Sequence, residues 1–194
     1  ATASVTPYGS NPERKGLGGP FNMPAGVTVS STGAIFVADG YGNRQVHRFS
    51  PTGNLEISWG NSGTGKGEFS LVHNLDVDSG DNVYICDREN DRIQIFDYDG
   101  NYINMWENLS SPGSVYCDRE NLVYVAEQGT PRRKKKNGVS IYTESGEIIS
   151  QFMRKSEENT QPHGICLDSK GNIYLAELAS PIGNDQKVSK FVRI

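Results

Sequence analysis

The sequence predicts an all-β protein built from repeated four-stranded sheets, the arrangement of a β-propeller. One motif recurs four times along the 194 residues, and its spacing falls in the range of about 40–50 residues that is typical of propeller blades. Short β-rich runs alternate with glycine-containing turns throughout the chain. No stretch shows the sustained 3.6-residue spacing of apolar side chains that an amphipathic helix requires.

The second strand of each unit is the clearest part of the repeat, because an apolar run with an aromatic centre ends there in an acid. The acids are 48, 40 and 50 residues apart; they are Asp39, Asp87, Glu127 and Glu177. An acid at the same place in every unit favours a structural role over a catalytic one.

A third strand follows each acid, and a fourth strand completes the first three units. The third strands are expected around 45–49, 92–96, 139–142 and 188–191, and the fourth around 55–59, 102–106 and 147–152. We assign the four blades to residues 21–68, 69–109, 110–160 and 161–194, and residues 1–20 to an inter-blade loop or linker. Trp59 and Trp106 occupy equivalent fourth strands and are expected to be packing residues. His47, on a third strand, is expected at the surface.

The repeat resembles the NHL repeat, whose signature is Asp-x-x-Asn-x-Arg followed by Val or Ile. Residues 87–93 reproduce that signature, and the resemblance extends over roughly residues 15–194. NHL propellers usually have six blades, so four repeats imply part of a six-bladed ring. We expect two N-terminal blades to be missing from the sequence. The alternatives are that the four blades close on themselves, or that chains self-associate to finish the ring.

The start of the innermost strand alternates between a small residue and a histidine across the four units. The aligned residues are Ala25, His73, Gly113 and His163. Innermost strands line the channel of a propeller, so we expect these residues at one mouth of it. In a six-bladed ring the alternation would supply a third histidine, and three imidazoles with an open position form a catalytic type of zinc site.

Two further residues are expected at the same mouth, because the loop between the second and third strands emerges on that face. Tyr41 lies in this loop of the first unit and Arg88 in that of the second. The guanidinium of an arginine suits bidentate recognition of a carboxylate. A tyrosine beside a metal cation loses its proton more easily and can serve as a general base.

This set of residues resembles the peptidyl-α-hydroxyglycine α-amidating lyase and its bacterial relatives. The resemblance implies a zinc-dependent carbon–nitrogen lyase that converts a peptidyl-hydroxyglycine, or a similar small carboxylate-bearing substrate, into a peptide amide and glyoxylate. His73 and His163 match two of the three zinc histidines, Tyr41 the catalytic tyrosine and Arg88 an active-site arginine. Calcium is also implied, although Gly164 stands where the lyase has an aspartate ligand.

Two other functions stay open at this point. One is a related metal-dependent hydrolase, such as a lactonase. The other is a non-catalytic NHL module that binds a protein, peptide or glycan on the same face. Propellers host many functions, so the fold alone does not separate these alternatives.

Charge and hydropathy narrow the range of partners. The net charge of −4 argues against a dedicated nucleic-acid binder, and the basic run at 132–136 is expected to be a solvated loop. No apolar run reaches membrane-spanning length, so we expect a soluble protein without a membrane partner. Secreted and periplasmic locations of the parent protein both stay open.

Overall fold

The computed structural model describes residues 20–129, 136–154, 160–179 and 187–192. The predicted inter-blade loop at 1–20 lies almost entirely outside these residues, as does all of the basic run except Lys136. Within the described ranges no helix is long and apolar enough to cross a membrane.

Four antiparallel sheets follow one another along the chain and confirm the predicted propeller blades. Blade one contains β1 (Gly26–Val29), β2 (Ile35–Asp39), β3 (Gln45–Phe49) and β4 (Leu55–Trp59), and a short parallel pair, β5 (Asn61–Ser62) and β6 (Glu68–Phe69), follows it. Blade two contains β7 (Val72–Val77), β8 (Val83–Asp87), β9 (Arg92–Phe96) and β10 (Tyr102–Trp106). Blade three contains β11 (Pro112–Cys117), β12 (Val123–Glu127), β13 (Asn137–Tyr142) and β14 (Ile148–Arg154). The described strands of blade four are β15 (Thr160–Leu167), β16 (Ile173–Ala179) and β17 (Lys187–Phe191).

The acid that ends the second strand is buried in every blade. In blades one to three its carboxylate accepts hydrogen bonds from the chain that leads into the first strand; in blade two, Asp87 Oδ1 accepts from the backbone N–H of Ser70 at 2.9 Å. The other oxygen faces the third strand, where Arg92 Nε donates to Asp87 Oδ2 at 2.8 Å. The Arg92 guanidinium also donates to the carbonyl oxygens of residues 64, 65 and 68. One carboxylate therefore joins three segments of its blade.

Consecutive blades are joined by polar contacts between their innermost strands. Thr28 of blade one donates to Asp76 of blade two at 2.7 Å. Asn74 Oδ1 accepts from the backbone N–H of Val115 in blade three at 3.0 Å, and Ser114 Oγ accepts from the N–H of Ile165 in blade four at 3.3 Å. The inner strands of the four blades therefore lie side by side in chain order.

Each of three apolar clusters fills the space between two consecutive blades. Trp59 packs against the first cluster and Trp106 belongs to the second, as expected of packing residues. Among the described residues no cluster joins blade four to blade one, and Val27 on β1 and Val188 on β17 are 65% and 72% exposed. The described blades therefore form an arc and not a sealed four-bladed ring.

The expectation that His47 lies at the surface is wrong. Its side chain is 1% exposed, with Nδ1 2.7 Å from Ser58 Oγ and Nε2 3.3 Å from Asp39 Oδ2. The Phe21 ring covers it edge-on, at a centroid distance of 5.7 Å. Phe21 and the buried acid Asp39 lie on the face of the third strand that points away from the apolar cluster, so the His47 side chain meets them instead of water.

The burial of Asp87 predicts a large loss of stability for Asp87→Ala. The change leaves the Arg92 guanidinium buried without its counter-charge, which typically costs about 3–5 kcal/mol. The free energy of unfolding, measured by urea titration, should fall by that amount. Asp99→Ala is the matched control: its carboxylate also pairs with an arginine, but it is 73% exposed, so the expected cost is below about 1 kcal/mol. Equal costs for the two changes would contradict the role given to the buried acid.

Candidate functional site

A β-bulge marks the histidine position in blades two, three and four. The register of the inner strand shifts at residue 73, between Val72 and Asn74. The same shift occurs at residue 113 on β11 and at residue 163 on β15. A bulged residue has no direct partner in the ladder, and the bulge re-aims its side chain. In blade one the equivalent residue, Ala25, directly precedes β1.

The structure brings His73 and His163 together, although they belong to alternate blades. Their ring centroids are 4.6 Å apart, with the ring planes at 79°. The Tyr41 ring is next to them, with its centroid 5.8 Å from that of His73. The residues proposed from the aligned repeats therefore meet at one place, while their roles stay predictions.

His73 is held in a defined orientation. Its side chain is 3% exposed, and Nδ1 lies 2.5 Å from the carbonyl oxygen of Gly113. A carbonyl can only accept, so Nδ1 carries the proton and Nε2 is left with a lone pair. Nε2 is buried and has no hydrogen-bond partner among the described residues. A backbone carbonyl that fixes the ring through its second nitrogen is the usual outer support of a metal-binding histidine.

Both histidines are held in the neutral form. Burial, followed by the positive charge of Arg88, lowers the pKa of His73 to about 3. The same two causes lower the pKa of His163. Neutral imidazole is the form that binds metals, so the environment favours the ligand-competent state of each ring.

Tyr41 and Arg88 lie against each other on the loops that follow β2 and β8. Arg88 Nη1 is 3.5 Å from the Tyr41 hydroxyl oxygen, and Arg88 Cζ is 5.8 Å from the Tyr41 ring centroid. Gly40 permits this arrangement, since a Cβ there would lie 1.8 Å from the Val72 carbonyl oxygen. The backbone N–H of Arg88 donates to the Leu71 carbonyl at 3.0 Å, which ties the arginine to the segment leading into His73.

The two histidines fit part of a zinc site. With Zn–N bonds of about 2.0–2.1 Å and tetrahedral angles, two imidazoles on one ion would have centroids about 5 Å apart, close to the observed 4.6 Å. Nε2 of His73, which has no hydrogen-bond partner among the described residues, is available as a ligand atom. Within the described part of the chain no group of three or more His, Cys, Asp or Glu side chains is placed to hold a metal. The described residues therefore offer two candidate ligands, fewer than a zinc site requires.

Sequence reasoning missed Gln128, which follows Glu127 as Arg88 follows Asp87. Its backbone N–H donates to the Ser111 carbonyl at 3.1 Å, the equivalent of the bond that Arg88 makes in blade two. Its side chain is 8% exposed and lies over Gly113, with Nε2 buried and unpartnered among the described residues. Alignment of the residues directly after each acid would have found it.

Comparison with known proteins identifies related sequences. Residues 24–178 match the profile of a family described as 6-bladed beta-propeller. Peptidylglycine alpha-amidating monooxygenase of Rattus norvegicus is 32% identical over 172 residues, which cover 81% of this chain and 17% of that protein. Peptidyl-alpha-hydroxyglycine alpha-amidating lyase 1 of Drosophila melanogaster is 30% identical over 91% of this chain and 36% of its own length. NHL repeat-containing protein 3 of Homo sapiens is 28% identical over 89% and 50%. The chain thus spans half or less of these curated relatives.

Solved structures share the fold at low identity. Hydrazine synthase of Kuenenia stuttgartiensis superposes with a TM-score of 0.71 at 13% identity, over 93% of this chain and 49% of that one. Virginiamycin B lyase of Staphylococcus aureus, solved as an inactive variant with quinupristin, gives 0.63 at 18% identity, over 91% and 57%. At such identities the likeness shows the propeller fold alone.

The contact between Gly113 and Gln128 predicts different tolerances for two glycines on the inner strands. A Cβ at Gly113 would lie 2.6 Å from Gln128 Nε2 and 2.9 Å from its Cδ, so Gly113→Ala should lower the free energy of unfolding by about 1–2 kcal/mol. Gly164→Ala is the control, since its Cβ would meet only the Ala176 Cβ, at 3.5 Å; it should change stability by less than about 0.5 kcal/mol. Urea titration of both variants provides the measurement. A larger loss for Gly164→Ala would contradict the packing described at this mouth.

Proposed function

This chain belongs to the 6-bladed beta-propeller family, and we propose that the channel mouth it contributes is part of a metal-dependent lyase site. The observation that carries the proposal is the meeting of His73, His163, Tyr41 and Arg88, together with a His73 Nε2 that is buried and has no hydrogen-bond partner among the described residues. Relatives named as alpha-amidating enzymes supply the reaction class. The substrate is a peptidyl-α-hydroxyglycine or a similar small molecule with a carboxylate.

His73 and His163 would hold a zinc ion, which supplies a Lewis acid for the substrate hydroxyl when bound. The third ligand is a histidine from a blade outside this sequence, in keeping with the alternation along the four repeats. Self-association of chains to finish the ring is the other source of that ligand. The calcium implied by the resemblance is not part of this proposal, since Gly164 stands where the lyase has an aspartate ligand.

Arg88 binds the substrate carboxylate and Tyr41 accepts the hydroxyl proton. As the hydroxyl becomes the carbonyl of glyoxylate, the bond from the α-carbon to the amide nitrogen breaks. The nitrogen takes up one proton to become the primary amide, so the reaction consumes and releases no net proton.

A second function has one observation in its favour. NHL repeat-containing protein 3, which aligns with 89% of this chain, is named for its repeat and not for an enzymatic activity. A non-catalytic module would bind a protein or peptide at the same mouth through Arg88, and its histidines would bind metal weakly or not at all. Metal content and turnover therefore separate the two functions.

Metal analysis tests the proposed ligands. In the complete protein we expect stoichiometric zinc, and at least a 100-fold loss of zinc affinity when both His73 and His163 are changed to Ala, because two of the proposed ligands are removed. His47→Gln is the matched control, since Gln94 occupies the equivalent place in blade two, and it should retain the metal. Unchanged zinc content in the double variant would remove both histidines from the ligand set.

Turnover tests the role of Tyr41. Tyr41→Phe removes the hydroxyl while keeping the ring that packs on His73, so glyoxylate release from an N-acyl-α-hydroxyglycine should fall by about 10²–10⁴-fold. Substrate affinity should change little, because Arg88 still holds the carboxylate. Tyr102→Phe, on the outer strand of blade two, should leave the rate unchanged. A full rate in Tyr41→Phe would assign the proton transfer to another group.

A further inference from the structure

We propose that Gln128, like Arg88, is a substrate-binding residue at this mouth. Its side-chain amide recognises an amide group of the molecule whose carboxylate Arg88 binds. That the ligand has a carboxylate rests on the proposed function, whereas the role of Gln128 is argued from its contacts in the structure. This proposal assigns a role in recognition to a blade that contributes no histidine to the site.

The position of Gln128 in its blade supports this role. Arg88 directly follows the buried acid of β8, and Gln128 directly follows that of β12. The backbone N–H of Arg88 donates to the carbonyl oxygen of Leu71, and that of Gln128 donates to the equivalent carbonyl oxygen of Ser111. Consecutive blades therefore present a cation and then a neutral amide from equivalent places.

Gln128 also lies close to the histidines. Its side chain covers Gly113, so closely that a Cβ on that glycine would meet three atoms of the amide arm within 3 Å. The carbonyl of Gly113 is the acceptor for His73 Nδ1. Gln128 is thus separated from a proposed metal ligand by a single residue.

The side-chain amide of Gln128 has a donor that is available to a ligand. Its Nε2 is buried and has no acceptor among the described residues, although a buried polar group without a partner is costly and uncommon in native proteins. Because Nε2 has no acceptor among the described residues, rotation of the amide plane about its last bond costs this donor no hydrogen bond, and the side chain can present either N–H or C=O to a ligand. Such a group pairs with a ligand amide, which has both a donor and an acceptor.

The side chains of Arg88 and Gln128 together define the class of ligand. A guanidinium selects a carboxylate, whereas a neutral amide pairs with another neutral amide at little desolvation cost. The molecule that satisfies both residues is an N-acylated amino acid or the end of a peptide, and not a free amino acid or a simple hydroxy acid.

Two carboxylates that differ in the amide alone test this inference. N-benzoylglycine carries the amide, while 4-phenylbutanoate has the same length with methylene groups in its place, and neither compound can be cleaved by the proposed reaction. Dissociation constants are measured by calorimetry for the wild type, Gln128→Met, Gln128→Ala and the surface control Asn104→Ala. We expect the preference for N-benzoylglycine over 4-phenylbutanoate to fall by about tenfold in both Gln128 variants and to stay unchanged in Asn104→Ala.

A stability measurement distinguishes ligand binding from a structural role. Methionine has nearly the size of glutamine without its unpartnered donor, so Gln128→Met should raise Tm by roughly 2–4 °C. A glutamine needed for the fold would give a lower Tm instead.

The outcomes separate this inference from the proposed lyase function. An unchanged ligand preference in both Gln128 variants overturns the role of Gln128, and so does wild-type protein that binds neither carboxylate. The lyase function is overturned if the protein holds no zinc and releases no glyoxylate, while the wild type prefers N-benzoylglycine and both Gln128 variants lose that preference. Gln128 is then a recognition residue of a binding module.

Discussion

A carboxylate buried at the end of the second strand is the constraint on which both the blade and the mouth depend. Asp87 accepts from the backbone of residues 70 and 71, just ahead of His73, and from the Arg92 side chain on the third strand. The residue after it is Arg88. One buried charge therefore sets the spacing between an inner-strand histidine and the arginine that faces it. Because a buried acid recurs in each of the four described blades, the same spacing is available in each of them.

The fold and most of the mouth could be predicted from the sequence because both follow the repeat. The spacing of the acids located the blades, and alignment of the inner strands located His73 and His163. The bulges could not be predicted, because the one-residue shift at 73, 113 and 163 depends on which ladder bonds form. His47 was misplaced for a related reason: a polar residue on a third strand looks solvated until its contacts with Asp39, Ser58 and Phe21 are known.

Gln128 shows where sequence reasoning stopped short. The histidines and Arg88 were found as chemically conspicuous side chains, whereas a glutamine after an acid attracts no such interest. Its proposed role depends on a contact with Gly113, a residue without a side chain, and on a buried donor that has no partner among the described residues. Neither property can be detected in residue types. A functional site built on repeats is therefore better sought by position within the repeat than by residue chemistry.

The three apolar clusters, each lying between neighbouring blades, make the stability of the arc a sum of nearest-neighbour terms. In such a linear array the end units have one interface and fray first, while interior units are protected from both sides. His163 belongs to an end blade of the described arc and His73 to an interior one. Within the four described blades the contact between the two imidazoles therefore depends on the interface between blades three and four, and closure of a ring would give blade four a second interface.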